Sequence, residues 1–339
     1  MSSTSLESNS DLENAGAAND GKSALARMFG WSLLAFLFAW FINNILKLSF
    51  DWPGAAAFLT GQNVGASLAQ AVFVVAAIAV AILFVKRRPN TTLRQDAATI
   101  SGINTFLVRA AFFVVLFVGI GDMVISFLRV EGMLDAVVGS ELAKDFGRAQ
   151  VRGVYVHMPL MALGILVACF SRTLGFHWLA LLIVGAELAI VLTRFVFSYE
   201  QSFMGDLVRF WYAALFLFAS AYTLLEEGHV RVDVFYSTFK NRTKGIVNAV
   251  GSLVLGIGFC WTILLMGLGN KSAIVYSPVA NFEVSQSGFG MYVKYMMAGF
   301  LAFFAITMMI QFISYLLESI ADWREEPGTR LGSQSTAAH

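Results

Sequence analysis

The stretch EEGHVRVDVFY, residues 226–236, gathers charged and titratable side chains between two long apolar runs. These side chains are Glu226, Glu227, His229, Arg231 and Asp233. A histidine flanked by carboxylates can exchange protons, so one interpretation is a catalytic cluster. A docking surface is a second interpretation, and the solvated loop between two membrane helices is a third. The residue types alone favour a basic loop whose aromatic side chains, including Tyr236, lie at the level of the lipid headgroups.

Two carboxyl groups fall inside apolar stretches, where a charged group is costly and suggests a function. Glu187 lies near the middle of IVGAELAIVLTRF, and Asp122 lies in FVGIGDMVISF. Either side chain can bind a cation or carry a proton. The alternative is an interhelical hydrogen bond that stabilises a bundle of helices. The glycines before Asp122 indicate close helix packing at that position.

Histidines and cysteines offer a second kind of chemistry. His157 and His177 fall in neighbouring apolar runs, but near opposite ends, which makes them a poor pair of axial haem ligands. Cys169 and Cys260 also lie in apolar runs and are interpreted as small buried hydrophobic residues rather than a redox pair. The sequence has no nucleophile–base pair, metal-ligand spacing or phosphate-binding loop. It therefore predicts neither an enzyme nor a cofactor or metal site.

The elements that must position these side chains are membrane helices. Of the 339 residues 58% are hydrophobic and 13% are charged, against about 25% charged in soluble domains. The net charge of +1 leaves no basic surface for nucleic acid. A helix needs about 20 apolar residues to cross a bilayer. We count about eight such stretches, near residues 30–49, 66–86, 105–128, 153–171, 176–197, 207–226, 245–269 and 291–318. The sequence thus predicts an all-α integral membrane protein, a polytopic helical bundle.

The charges between the stretches predict the orientation. Cytoplasmic loops are enriched in Lys and Arg, and the loops after the second, fourth and sixth stretches carry most of them: Lys86, Arg87, Arg88, Arg94, Arg172, Arg231, Lys240, Arg242 and Lys244. Both termini are then cytoplasmic, with residues 1–29 and 324–339 as disordered tails. Residues 129–152 read as an amphipathic segment on the outer face. The first stretch contains Asn43, Asn44 and Lys47, so it either spans the membrane or lies at its surface.

The motif AYTLLEEGHVRVDVFY resembles the signature of the small membrane subunit of tripartite ATP-independent periplasmic (TRAP) transporters, the DctQ-like family. Further segments are similar in the same order. Arg194, Phe195 and Phe197 resemble the R-Y-x-F that closes the family's first helix. Asp206, Leu207 and Arg209 resemble the E-L-x-R before its second helix. Glu283, Ser285, Gly288 and Lys294 resemble the E-x-S…G…K before its fourth helix. The family's usual acidic pair before the second helix is reduced to Asp206. The proline often found after the glycine near the fourth helix is missing.

The resemblance covers residues 176–323 and implies a four-helix membrane domain, with residues 30–175 as an extension of about four helices. It implies a location in the bacterial inner membrane and two partners. One is a large DctM-like membrane subunit that carries the solute and sodium sites. The other is a periplasmic DctP-like protein that delivers a carboxylate-type solute. The small subunit acts as a scaffold for the large one and contacts membrane lipids. The residues expected to structure its loops or contact partners are Arg194, Asp206, Arg209, His229, Arg231, Asp233, Tyr236, Glu283 and Lys294.

Two other functions stay open at this point. A self-contained channel or carrier needs a polar cavity, for which Asp122 and Glu187 are the candidates. A membrane anchor subunit of a redox enzyme needs haem ligands, for which His157 and His177 are the candidates. Both alternatives depend on whether these side chains line an open site or are bonded to other groups of the bundle.

Overall fold

A computed structural model of the chain describes residues 4–61, 63–173, 175–226, 235–284 and 290–328, with side-chain detail from residue 23 onward. The described residues contain helices and no strand. The α-helices are Thr4–Ser49, Val64–Lys86, Leu93–Val130, Leu134–Val138, Ser140–Asp145, Ala149–Arg152, Met158–Phe170, Phe176–Val196, Ser202–Leu225, Asn241–Val250, Gly258–Leu268, Tyr276–Ala280 and Lys294–Trp323. Two 3-10 turns, Ala55–Thr60 and Tyr236–Thr238, and two π-helical turns, Gly153–His157 and Gly251–Ile257, complete the helical structure.

Eight helices in the described ranges are long and apolar enough to cross a membrane, as predicted. In chain order, these first to eighth spans are Ser23–Ser49, Val64–Lys86, Leu93–Val130, Ala149–Phe170, Phe176–Val196, Ser202–Leu225, Asn241–Leu268 and Lys294–Trp323. The largest difference from the prediction is the third span, which begins 12 residues before the expected position 105. The first helix begins at Thr4, inside the segment predicted as a disordered tail.

A hydrogen bond to the second span pairs the amide nitrogen of a polar side chain inside the first. The Asn43 amide is buried and donates to the backbone oxygen of Gln70 at 3.2 Å. The Gln70 side chain in turn accepts a hydrogen bond from the Gly54 backbone N–H at 2.9 Å. A polar group that is paired in this way costs little in a low-dielectric environment. These contacts show how an asparagine that weakened the sequence signal is accommodated in a spanning helix.

The chain divides into two compact units, and each contains residues from both sides of the predicted boundary at 175/176. The first unit comprises Met1–Ser101, Val230–Gly258 and Ile310–His339. The second comprises Gly102–His229 and Phe259–Met309. The compact units therefore do not follow the division into an extension and a four-helix domain, which stays a prediction about sequence relationship.

Ion pairs at one end of the first unit join four spans. Arg27 donates to Asp96 at 2.6 Å and to the Arg88 backbone oxygen at 2.9 Å, and both charged side chains are buried. Arg94 pairs with Asp322 at 2.9 Å. The beginnings of the first and third spans and the ends of the second and eighth spans therefore lie together. This arrangement is consistent with an even number of crossings, which returns the chain to the side on which it began.

Aromatic packing and close helix contacts make the core of the second unit. The ring of Phe218 packs edge-on against Phe300 and Phe303, with centroids 4.9 and 4.8 Å apart. A Cβ placed on Gly164 would come within 2.6 Å of the Val114 backbone nitrogen, so only glycine lets the third and fourth spans approach this closely. A Cβ on Gly119 would lie 2.2 Å from the Trp211 indole nitrogen. The close packing expected beside Asp122 is confirmed.

Candidate functional site

Asp122 is the centre of a buried polar cluster in the second unit. Its side chain is fully buried in the third span. One carboxylate oxygen accepts hydrogen bonds from Arg152 at 2.9 Å and from His157 Nε2 at 3.1 Å. The other oxygen accepts a bond from the Tyr292 backbone N–H at 2.8 Å. One carboxylate thus links the third span, the fourth span and the segment that precedes the eighth.

Arg152 neutralises the charge of Asp122 and is itself fully buried. Its Nε donates to the Phe146 backbone oxygen at 2.7 Å, and its Nη1 also donates to the Ser126 hydroxyl at 3.1 Å. The guanidinium lies over the Tyr292 ring, 4.2 Å from the centroid. A charge inside a membrane protein is tolerated when it is paired and hydrogen-bonded in this way.

His157 has both ring nitrogens engaged. It ends the π-helical turn Gly153–His157 and lies 2.8 Å from the Tyr295 hydroxyl through Nδ1. In the neutral ring, Nε2 donates to Asp122 and Nδ1 accepts from Tyr295. His177 is exposed on the fifth span. The geometry therefore disfavours the axial haem pair that His157 and His177 were considered for, because His157 has no free nitrogen.

The segment 290–292, just before the eighth span, is held by charged groups from two other spans. Arg129 donates to the Tyr292 hydroxyl at 2.6 Å and to the Gly290 backbone oxygen at 3.0 Å. Asp206 accepts a hydrogen bond from the Met291 backbone N–H at 3.1 Å. Together with the bond from Tyr292 to Asp122, these contacts fix the entry of the chain into the eighth span.

Four of the predicted site residues form two pairs. Lys294 and Glu283 lie 2.5 Å apart, and both side chains are about half exposed. Asp206 lies 3.7 Å from Arg209, whose side chain is largely exposed. Both Asp206 and Arg209 belong to the helix Ser202–Leu225, so the expectation that this pattern precedes the helix was wrong. From this helix the Asp206 carboxylate binds the segment 290–292.

Arg194 and Tyr236 lie apart from these pairs. Arg194 is exposed in the last turn of the fifth span, as the resemblance implied. Tyr236 begins the 3-10 turn Tyr236–Thr238, and its hydroxyl accepts a hydrogen bond from the Asn248 side chain at 2.7 Å. The ammonium of Lys244 lies 5.3 Å from the Tyr236 ring centroid. The turn is therefore attached to the beginning of the seventh span.

The centre of the motif that opened the sequence analysis lies outside the described residues. This applies to Glu227, His229, Arg231 and Asp233, and also to Ser285 and Gly288 of the stretch before the eighth span. Glu226 is described: it follows the sixth span and donates its backbone N–H to the Tyr222 oxygen at 2.9 Å. The roles of the four motif residues stay predictions.

Glu187 is exposed on the fifth span. Among the described residues it has neither a hydrogen-bond nor an ion-pair partner. The interhelical bond considered for it is therefore not made inside this part of the chain. Asp122, by contrast, makes the interhelical bonds that were considered for it.

Five residues of the buried cluster and its contacts were missed from the sequence: Ser126, Arg129, Arg152, Tyr292 and Tyr295. They lie at the edges of apolar runs, where charged and aromatic residues are common in any membrane protein. The mixed charges of residues 129–152 were taken as an exposed amphipathic segment, but Arg152 is buried against Asp122. An unpaired Asp122 in the sequence was the one signal that a buried cation had to exist nearby.

Chemistry by thiols or clustered metal ligands finds no support in the described part of the chain. Cys169 and Cys260 are both free. Cys260 is buried, as predicted, but Cys169 is exposed, so the prediction that both are buried was wrong for Cys169. Across the same residues, no group of three or more His, Cys, Asp or Glu side chains is placed to hold a metal ion.

Residues 183–322 match the family model for tripartite ATP-independent periplasmic transporters, DctQ component. This part of the chain is a DctQ domain. Within the limits of the described residues, the DctQ domain includes most of the fifth span, the sixth and seventh spans, and the eighth span almost to its end. No curated protein and no solved structure matches the chain. The DctQ assignment and the apolar helices together identify a multi-pass membrane protein.

Proposed function

We propose that this chain is the small permease subunit of a sodium-driven TRAP transporter. In this proposal it is a scaffold for a large DctM-like membrane subunit, which carries the solute and sodium sites. A DctP-like periplasmic protein delivers a carboxylate-type solute. The observation that carries the proposal is the DctQ match over residues 183–322. In this proposal the chain lies in the bacterial inner membrane.

The buried polar groups support a scaffold rather than a self-contained carrier. Both oxygens of Asp122 are occupied by protein donors, so they are not presented to a solute. A crevice of about 400 Å³ in the second unit is lined almost wholly by apolar side chains, including Val115 and Phe300. Its one hydroxyl belongs to Tyr295, which bonds to His157. A carboxylate solute needs positively charged or hydrogen-bonding groups, and this crevice offers it none.

The basic loops support an orientation with both termini in the cytoplasm. A single cysteine is placed at Ser237 in a variant that lacks Cys169 and Cys260. We expect it to react with a membrane-impermeant maleimide only after the cells are opened. Ser237 is exposed in the 3-10 turn, so burial in the chain does not prevent labelling. A cysteine at Val137, which is 63% exposed between the third and fourth spans, is the matched control and should react in intact cells. The opposite pattern would reverse the proposed orientation.

The motif loop is proposed to contact the large subunit or lipid headgroups. An exposed ion pair contributes only about 0–1 kcal/mol, which is too little to require the specific pattern of His229, Arg231 and Asp233. We expect Arg231→Ala and Asp233→Ala to reduce the amount of large subunit that co-purifies, without changing uptake per assembled complex. Lys240→Ala removes an exposed charge a few residues further along the sequence; it is the matched control and should leave the yield unchanged.

Two results would contradict this assignment. If the Arg231 and Asp233 variants assemble fully but do not transport, the loop takes part in the transport cycle. If the unmodified chain retains no large membrane subunit under conditions that preserve other membrane complexes, the proposed function itself fails. Equal yields of co-purified large subunit for all variants would indicate that the loop is only solvated and makes no such contact.

A further inference from the structure

The fifth span presents an apolar face that contains one carboxyl group. Glu187 lies near the middle of the 21-residue helix Phe176–Val196 and is exposed. Residues three before and four after it share its face of the helix. These are Val184, which is 64% exposed, and Val191, which is 48% exposed. We call Val184, Glu187 and Val191 the Glu187 face.

A carboxyl group at this depth requires a hydrogen-bond donor. Lipid tails supply no donor, and an ionised side chain at the centre of a bilayer costs several kcal/mol unless it is paired. The chain does not supply a donor among its described residues. Thr193, the nearest following hydroxyl on this helix, donates to the backbone oxygens of Ala189 and Ile190. Arg194 is seven residues after Glu187, about 10 Å away along the helix axis.

We propose that the Glu187 face docks against a transmembrane helix of the large membrane subunit, and that this helix supplies a hydrogen-bond donor at the depth of Glu187. The proposal rests on the proposed function and names the surface and the partner chemistry. Apolar contacts on either side of Glu187 exclude lipid, and one polar contact fixes the register of the two helices. A buried polar pair of this kind gives specificity to an otherwise apolar interface.

A second copy of this chain suits the face less well. Two copies in one membrane have the same orientation, so a two-fold contact through this face would place two Glu187 carboxyls at the same depth. Like groups at close range oppose ionisation and repel each other. Neither valine of the face offers a donor to the opposite copy. The chemistry of the face is complementary to a donor, not to itself.

Photo-crosslinking in the assembled complex tests the partner. A photoreactive phenylalanine at Val184 or Val191 is expected to crosslink to the large subunit. The control position is Trp178, which is 62% exposed on the same helix and is rotated by about 180° from Glu187 and by about 120° or more from both valines. We expect the crosslinked yield there to be severalfold lower. Crosslinks to a second copy, or to lipid alone in a complex that contains the large subunit, would overturn the proposal.

Substitutions of Glu187 test the donor. Glu187→Leu is expected to reduce the co-purified large subunit by about 3- to 20-fold, the range of single interhelical hydrogen bonds in membranes. Glu187→Gln keeps an acceptor and should retain most of it, while Trp178→Ala, on the opposite side of the helix, should match the unmodified chain. Because Glu187 is exposed, the isolated variants should elute as the unmodified chain does in size-exclusion chromatography. If Glu187→Leu retains the large subunit fully, the inference is wrong while the proposed function stands. If even the unmodified chain retains none, the proposed function fails first.

Discussion

Asp122→Leu is expected to lower the free energy of unfolding of the detergent-solubilised protein by about 3–5 kcal/mol. The substitution leaves the Arg152 guanidinium fully buried without its counter-charge. It also removes the acceptor of the Tyr292 backbone N–H and of the His157 ring. Equilibrium unfolding by a denaturing detergent, followed by circular dichroism, measures the change.

Two further variants separate this mechanism from a general effect of substitution. Replacing Asp122 and Arg152 together by leucine removes both charges and should recover part of the loss, because no uncompensated charge is left. Glu283→Gln breaks the half-exposed pair with Lys294 and should cost only about 0–1 kcal/mol. If Asp122→Leu costs no more than Glu283→Gln, the buried cluster does not stabilise the fold. If Asp122→Asn abolishes uptake in a fully stable, assembled complex, Asp122 has a role in transport.

Residues 176–339 expressed alone are expected not to fold. The segment 290–292 would lose its contacts with Asp122 and Arg129. In the first unit, Ser314 would lose its hydrogen bonds to the Ala97 backbone oxygen and the Ser101 hydroxyl, each 2.8 Å long. The large apolar surfaces that pack against the third span would also be uncovered. Size-exclusion chromatography in mild detergent should give aggregate rather than a single folded species.

Removal of residues 1–22 is the matched control for the truncation. This deletion leaves the buried Arg27–Asp96 pair in place, so the shortened protein should elute and unfold like the complete chain. A monodisperse, cooperatively unfolding fragment 176–339 would show instead that the extension and the DctQ domain are independent, as the sequence boundary at 175/176 suggests.

The spans were predictable because bilayer thickness fixes the length of an apolar run. The ends of the spans were less predictable. A charged residue ends an apolar run in the sequence, but the helix can continue past it. The third span continues back to Leu93 through Arg94 and Asp96. Those charges are paired with Asp322 and Arg27, which lie far away in the chain. Pairing at such separations leaves no local pattern to read.

The same limit applies to the buried cluster. For an isolated Asp122 in an apolar run the sequence left ion handling and an interhelical bond as alternatives, and the structure shows interhelical bonds. Its partners lie 30, 35 and 170 residues away, so only the fold identifies them. Glu187 gave a similar sequence signal but is exposed. Local hydropathy does not distinguish a carboxyl that is buried among its own helices from one that is exposed on their outer surface.

Uptake by reconstituted proteoliposomes tests whether this chain supports the large subunit or carries the solute itself. Vesicles would contain this chain, the large membrane subunit, or both, with the periplasmic binding protein and a radiolabelled carboxylate solute added outside. The account predicts sodium-gradient-dependent uptake only when both membrane subunits and the binding protein are present. Sodium-driven uptake by vesicles that contain this chain alone would contradict it, because the chain would then carry the solute itself rather than support the subunit that does.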